Sequence, residues 1–346
     1  MNPHAWLLSD LENVPQNGIK VFSTFACGGG STMGYKRAGC EVIGANDIDP
    51  EMAYHYKLNH NPKYYFLCPI RDLLTKELPD ELYHLDILDG SPPCSTFSMA
   101  GSREKAWGKN KKFREGQATQ VLSDLFFDYL DLVEHLKPKV AIAENVKGMI
   151  LGNAKGYTKM VMQRFKEIGY RPQLFLVNAA DCGVPQKRER VFFCALRDDI
   201  DKPNLVLNPK HRWVSAGEAT VDVQVLTDAE KQDTKPHARI RKYFNRVGKG
   251  QSFRHEMRKE TGKDGFNNNY RLDDGQPSWS LPATMHNLCH WDTPRTLTYR
   301  EVMRLGSFPD DYKAKTDKIG KYMIGMSVPP KMTEAVARAV IEQWLT

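Results

Sequence analysis

Cys94 closes the run Asp89-Gly90-Ser91-Pro92-Pro93-Cys94, and Glu144-Asn145-Val146 begins 50 positions later. A thiolate is a nucleophile for covalent catalysis, and a carboxyl group can give or take the proton that such an addition needs. The two prolines hold φ at about −65° and cannot donate to a sheet ladder. They therefore make a stiff end to the apolar strand predicted over 85–88. Glu144 ends a second apolar run, Val140-Ala141-Ile142-Ala143. If both strands lie in one parallel sheet, thiol and carboxyl face the crevice at the strands' carboxyl ends, where open α/β sheets bind ligands. Inert burial is the ordinary fate of a cysteine. That is the expectation for Cys27, Cys40, Cys68, Cys182, Cys194 and Cys289. The double proline and the following carboxylate set Cys94 apart.

The elements that must position this pair are legible as an alternation of short apolar runs and amphipathic stretches through the first 197 residues. That alternation is the signature of an α/β fold with a doubly wound, mostly parallel sheet. Strands are predicted over 20–25, 41–45, 64–67, 85–88, 140–143, 173–177 and 191–195. Apolar residues from Val121 to Leu136 keep helical spacing up to Pro138. Before them, residues 99–118 carry six Lys or Arg against two acids and read as a lid facing nucleic acid. The alternation stops near Asp198. Residues 330–344 read as one closing amphipathic helix that starts at a proline.

The bulk properties narrow the function classes. No apolar run reaches about 18 residues, so no membrane span is expected. The start lacks the basic and apolar regions of a secretion signal. Seven cysteines without a Cys-x-x-Cys pair do not make a disulfide framework or a zinc ribbon. No metal is expected, and a reducing cytoplasm would keep Cys94 a free thiol. Between Lys235 and Lys259 stand nine Lys or Arg and one acid, a net +8 against +7 for the whole chain. Aromatic and glycine residues interleave the run, which favours a polyanion-binding surface over a merely solvated face. Arg239, Arg241, Lys242, Arg246 and Lys249, with Lys105 and Lys109 of the lid, are the expected DNA contacts.

The first strand runs into Phe25-Ala26-Cys27-Gly28-Gly29-Gly30-Ser31 and then a helix. Glycines let backbone approach a ligand, and a helix start favours an anionic group. Asp47 closes the next strand 20 residues after Cys27, where an acid suits a ribose diol. Together these specify an adenosine-bearing cofactor without saying which one.

In this order the motifs resemble the DNA (cytosine-5) methyltransferase family over essentially the whole chain. The Phe-x-x-Gly-Gly-Gly turn, Asp47, Pro-Pro-Cys and Glu-Asn-Val are followed by Gln186-Lys187-Arg188-Glu189-Arg190. Arg295-Thr296-Leu297-Thr298 with Arg300-Glu301, Arg304-Leu305 and Phe308-Pro309 comes next, then Gly325-Met326-Ser327-Val328-Pro329-Pro330. The resemblance implies S-adenosylmethionine as cofactor and duplex DNA as partner. It implies Cys94 as the nucleophile toward cytosine C6, with Glu144 as proton donor at N3. Asn145 would orient that corner, and Arg188 and Arg190 would aim guanidinium donors at it. Phe25, Ala26, Gly28, Gly29, Asp47, Ile48, Ile70, Pro92, Leu125, Ser327 and Val328 would line the cofactor pocket. Residues 1–197 with 318–346 would form the catalytic domain, and 198–317 a target-recognition domain. A monomer is expected, with a cognate restriction endonuclease as a candidate partner in the same system.

The sequence departs from the family pattern at Ser23, Cys27, Pro69, Ser95 and Met326. Three rival readings stay open at this stage. They are a tRNA methyltransferase of the same family, an amino-methyltransferase, and an idle DNA-binding protein.

Overall fold

All seven predicted strands pair into one sheet in the computed structural model, which describes residues 2–93, 110–111, 120–121, 125–152, 154–236, 238–262 and 269–346. They are β1 (Lys20–Thr24), β2 (Glu41–Asp47), β3 (Tyr64–Leu67), β4 (Ile87–Gly90), β5 (Val140–Val146), β6 (Tyr170–Asn178) and β7 (Glu189–Arg197). The order across the sheet is β3-β2-β1-β4-β5-β7-β6. The first five strands are parallel, and β7 runs antiparallel to both of its neighbours. The central strands read as near-continuous apolar runs because both of their faces are covered.

Contacts divide the chain into two compact units. Residues 13–178, 189–209 and 333–346 form the sheet unit, and residues 1–12, 179–188 and 210–332 form the other. Along the later chain these compact units divide at 209/210 and 332/333. Residues 179–188 join the second unit because Gln186 is tied there from both sides. Its amide donates to Leu305 O at 3.2 Å and accepts from Leu281 N at 2.9 Å. The N-terminal stretch joins it partly through Trp6, whose indole N–H donates to Ser307 O at 3.1 Å.

In the sheet unit, α1 (Gly30–Arg37), α2 (Pro50–His60), α3 (Leu125–Leu136) and α4 (Ala154–Glu167) connect the strands. The α3 helix buries Leu125, Phe126, Tyr129, Leu130, Leu132, Val133 and Leu136, an apolar stripe at helical spacing. These join Phe22, Ile43, Leu88, Ala141 and Phe193 in the main core. The helix stops at Lys137, which takes φ 50°, immediately before Pro138. Tyr129 reaches under the sheet, its hydroxyl 2.9 Å from Leu88 O and 3.0 Å from Ile142 O.

The second unit is built from short pieces. Ser278–Trp279 pairs with Gln186–Lys187, and Tyr270–Arg271 with Leu288–Cys289. Ile240, Tyr243, Phe244, Val247, Phe253 and Cys289 make a small core there. The final stretch is helical from Pro330–Val340 and closes in a π turn over Ile341–Leu345. Among the described residues, no helix is long and apolar enough to cross a membrane.

Candidate active site

Register determines what the sheet presents at its carboxyl edge. Asn46, Thr24, Gly90 and Ala143 lie in one row across β2, β1, β4 and β5. The next residue on each strand is Asp47, Phe25, Ser91 or Glu144. These four residues thus stand at one level of the sheet, where β1 and β4 end while β2 pairs on through Asp47 and β5 through Val146. Cys94 itself lies outside the described residues, as do Ser95, Lys105, Lys109 and most of the expected lid. Pro92 and Pro93 are described, and Pro92 is buried.

The acid end is built by β5 and β7. Glu144 is 9% exposed and pairs with Arg190, whose Nε lies 2.8 Å from Glu144 Oε1. Antiparallel register sets Phe192 opposite Glu144, and Arg190, two residues away, points to the same face. Burial pulls the Arg190 guanidinium below its ordinary pKa, and the Glu144 charge opposes that shift. The Asn145 amide donates to Pro92 O at 3.0 Å, and its oxygen accepts from Val146 N at 2.9 Å. One side chain thereby clamps the proline segment to the strand that carries the acid.

Glu189, between the two arginines of its motif, pairs with Lys147 at 2.8 Å. Arg188 belongs to the second unit, where it donates to Leu281 O at 2.8 Å and to Gly325 O at 2.9 Å. Arg295, Thr298 and Glu301 of the later motif are also buried. Arg295 forks onto Glu301 at 2.6 and 2.7 Å, and Thr298 and Glu301 cap a helix reciprocally.

Three left-handed residues shape the glycine turn: Phe25 (φ 54°), Cys27 (φ 45°) and Gly29 (φ 80°). Cys27 stands where the family pattern has glycine, and its conformation is one that glycine adopts without strain. Its N–H donates to Asp47 Oδ2 at 2.8 Å, and Asp49 N donates to Asp47 Oδ1 at 2.9 Å. Burial pushes the Asp47 carboxyl up to about 6, with those two N–H donors opposing the shift. Ile48 is half-buried. Asn46, not singled out by sequence, ties β2 to the end of β3 through Phe66 O (2.9 Å) and Cys68 O (2.8 Å). His60, also missed, lies under the turn with Nε2 3.1 Å from Gly28 O. Burial pulls its imidazole down to about 3, so the ring is neutral and its Nε2–H donates. Only its place four residues after Tyr56 hinted at this, through a shared helix face.

The remaining expected pocket residues divide in kind. Ala26 is 8% exposed, and Gly28 is buried. Ile70 and Leu125 lie in the main core, with Phe25 packed partly against it. Pro69 begins the short 3₁₀ helix Ile70–Leu74. In the second unit, Val328 is buried, and Ser327 carries a buried hydroxyl with no hydrogen-bond partner among the described residues. Met326 beside it is 50% exposed. Ser23 donates to Asp89 Oδ2 at 2.7 Å, and Tyr35 donates to Oδ1 at 3.0 Å. Burial, with Glu144 adding to it, pushes the Asp89 carboxyl up to about 7.

The basic run is less free than its charge suggests. Lys242 pairs with Glu260, Arg246 lies 3.6 Å from the same carboxylate, and Lys249 bridges Asp274 (2.7 Å) and Asp292 (2.8 Å). Arg241 is exposed and makes no ion pair among the described residues. The side chain of Arg239 lies outside them.

The sequence model of the family described as C-5 cytosine-specific DNA methylase matches residues 19–342. Type II methyltransferase M.FnuDI of Fusobacterium nucleatum is 36% identical over 186 residues, which is 54% of this chain and about half (49%) of that relative. Type II methyltransferase M.NgoPII of Neisseria gonorrhoeae is 28% identical over 94% of this chain and 96% of its own length. A prophage-encoded protein of E. coli, assigned as a DNA modification methyltransferase, shares the fold. Its TM-score is 0.70 at 20% identity, covering 94% of this chain and 99% of that one. A family match over nearly the whole length, on a sheet that delivers the motif segments to one edge, decides the matter: the chain belongs to the C-5 cytosine-specific DNA methylase family.

Proposed function

We propose that the protein methylates C5 of a cytosine in a specific duplex DNA sequence, with S-adenosylmethionine as methyl donor and Cys94 as covalent nucleophile. The observation that carries this reading is the common level of Asp47, Phe25, Ser91 and Glu144 in the sheet, with Asn145 clamping the proline segment that leads to Cys94. The target base must leave the duplex to reach a thiol at a sheet edge. The Cys94 thiolate bonds to C6, and Glu144 gives its proton to N3, so the ring becomes an enamine whose C5 is nucleophilic. Once C5 carries the methyl group, its proton leaves to a base. The thiolate is then eliminated, and N3 returns its proton to Glu144. Arg190, held against Glu144, steadies the carboxyl and offers donors to the base carbonyl. Arg188 acts through the segments it grips.

The residues fit the methyl donor, which supplies the transferable methyl group when bound. Asp47 would accept from the ribose diol, and Ile48 beside it would pack on adenine. Residues 198–317 would read the target sequence, with Arg239, Arg241, Lys242, Arg246 and Lys249 beside DNA. Lys105 and Lys109 would close over it. The relatives' Type II naming supports a role in restriction-modification or phage protection, with a partner nuclease. A monomeric, cytoplasmic enzyme fits this role.

Duplex DNA with 5-fluorocytosine at the target should trap a denaturation-stable adduct, because fluorine cannot leave C5 as a proton does. Bisulfite sequencing of DNA from expressing cells identifies that target. Methyl transfer to tRNA but not to duplex DNA would overturn the substrate assignment.

Asp47 makes the cofactor step pH-dependent. A ribose diol needs the ionised carboxylate, and the Asp47 carboxyl titrates at about 6. S-adenosylmethionine affinity, measured by calorimetry, should therefore rise from pH 5 to 7 and then level off. Asp47→Asn should weaken binding on the order of tenfold or more at pH 7.5 and flatten that profile. Wild-type affinity in the variant would remove Asp47 from the site.

A further inference from the structure

Of the tryptophans in the described residues, Trp6, Trp291 and Trp344 are buried, whereas Trp213 and Trp279 are each 43% exposed. The two exposed indoles lie over one ammonium. Lys187 Nζ is 5.2 Å from the Trp213 ring centre and 6.0 Å from that of Trp279. Lys187 is set opposite Trp279 by the pairing of their two short strands. Its ammonium donates to Gln276 Oε1 at 3.2 Å, and no carboxylate pairs with it among the described residues.

Both rings are held in place. The Trp213 indole N–H donates to Asp181 at 2.7 Å, and Trp279 lies against Tyr270 at 5.2 Å with 33° between the planes. Exposed, pre-set aromatic faces around an uncompensated cation suit a ligand with both a π or sugar face and an anion. A nucleotide unit of DNA has that chemistry. An acidic peptide would use the cation but would leave the faces uncovered.

We infer that Lys187, Trp213 and Trp279 form a DNA contact separate from the target cytosine. It takes a phosphate on the lysine and the sugar or base of that nucleotide on the indoles. The inference rests on the proposed DNA substrate and adds a subsite to it. Of the expected basic contacts, Lys242, Arg246 and Lys249 are internally paired, while Lys187 has no carboxylate partner among the described residues.

The test uses full-length protein and the target duplex, with binding followed by anisotropy across a salt series. Trp279→Ala should weaken binding on the order of tenfold, the scale of one lost base–aromatic stack. Lys187→Gln should reduce the slope of log K against log[salt] by about 0.9, one phosphate's worth. Tryptophan emission should be quenched by duplex in the wild type and less so in Trp213→Phe and Trp279→Phe, which keep the ring packing. Unchanged S-adenosylmethionine affinity in each variant establishes that it folds. Wild-type affinity, slope and quenching in these variants would overturn the contact while leaving the proposed function standing. A wild-type protein that methylates no duplex would overturn both.

Discussion

Glu144→Gln is expected to lower kcat for methyl transfer by about 10²–10⁴-fold, the usual range for a lost general acid. An amide keeps the size of the side chain and can still hydrogen-bond N3, so affinity for DNA should change little. It has no proton to give, so the charge that builds on the ring at thiol addition goes unrelieved. The buried pair with Arg190 sharpens the expectation. The guanidinium holds the carboxyl in place, and the entering base must draw that carboxyl from Arg190 to its N3 edge. Arg190 then has a donor to spare for the base carbonyl. Single-turnover methylation separates this from slow product release. Cys94→Ala is the companion measurement and should abolish both turnover and fluorocytosine trapping. A Glu144→Gln enzyme within threefold of the wild-type rate would sink the proton-donor role.

Gly29→Ala should cost about 2–4 kcal/mol of stability and abolish detectable binding of the methyl donor. Two physical terms contribute. Gly29 holds φ 80°, where a β-carbon is strained, and that carbon would stand 2.1 Å from His60 Nε2. The imidazole cannot move aside cheaply, because it packs on Tyr56 with ring centres 4.7 Å apart and contacts Gly28 O. Adding His60→Ala should relieve the overlap but not the backbone strain, so the double variant should recover only part of the loss. Urea unfolding and calorimetric titration read the two effects. An unchanged unfolding midpoint in Gly29→Ala would show that the turn is not built on this contact.

How far sequence reading reached follows from what each residue needs. Apolar runs marked all seven strands, most plainly the buried central ones, which are apolar on both faces. Strand limits were less legible, since only Tyr64–Leu67 keeps its expected ends, and two of the shifts have local causes. The first was expected to include Phe25 but stops at Thr24, since Phe25 turns left-handed. The fourth was expected over 85–88 but runs to Gly90, because Asp89 is a buried acid satisfied by Ser23 and Tyr35. Strand direction left no mark in composition, so the reversal of β7 was invisible. Pairing across long sequence distances was equally hidden. Counting charge between Lys235 and Lys259 could not reveal that Glu260, Asp274 and Asp292 lie against Lys242 and Lys249. That the Pro92 segment and Glu144 share one level of the sheet was legible because each follows an apolar strand.

Gln186 and Arg188 reach Leu281, Leu305 and Gly325 only through main-chain atoms. A carbonyl or amide offers the same handhold whatever side chain it carries. At Leu281 and Leu305 the grip itself thus sets no demand on the side chain, whereas Gly325 is tied to its residue type, since a β-carbon there would stand 2.2 Å from Pro282 O. Under the proposed reading role of residues 198–317, their sequence can change without loosening these main-chain grips. A recognition segment grafted from a relative of different specificity would meet the same grips, provided the glycine came with it.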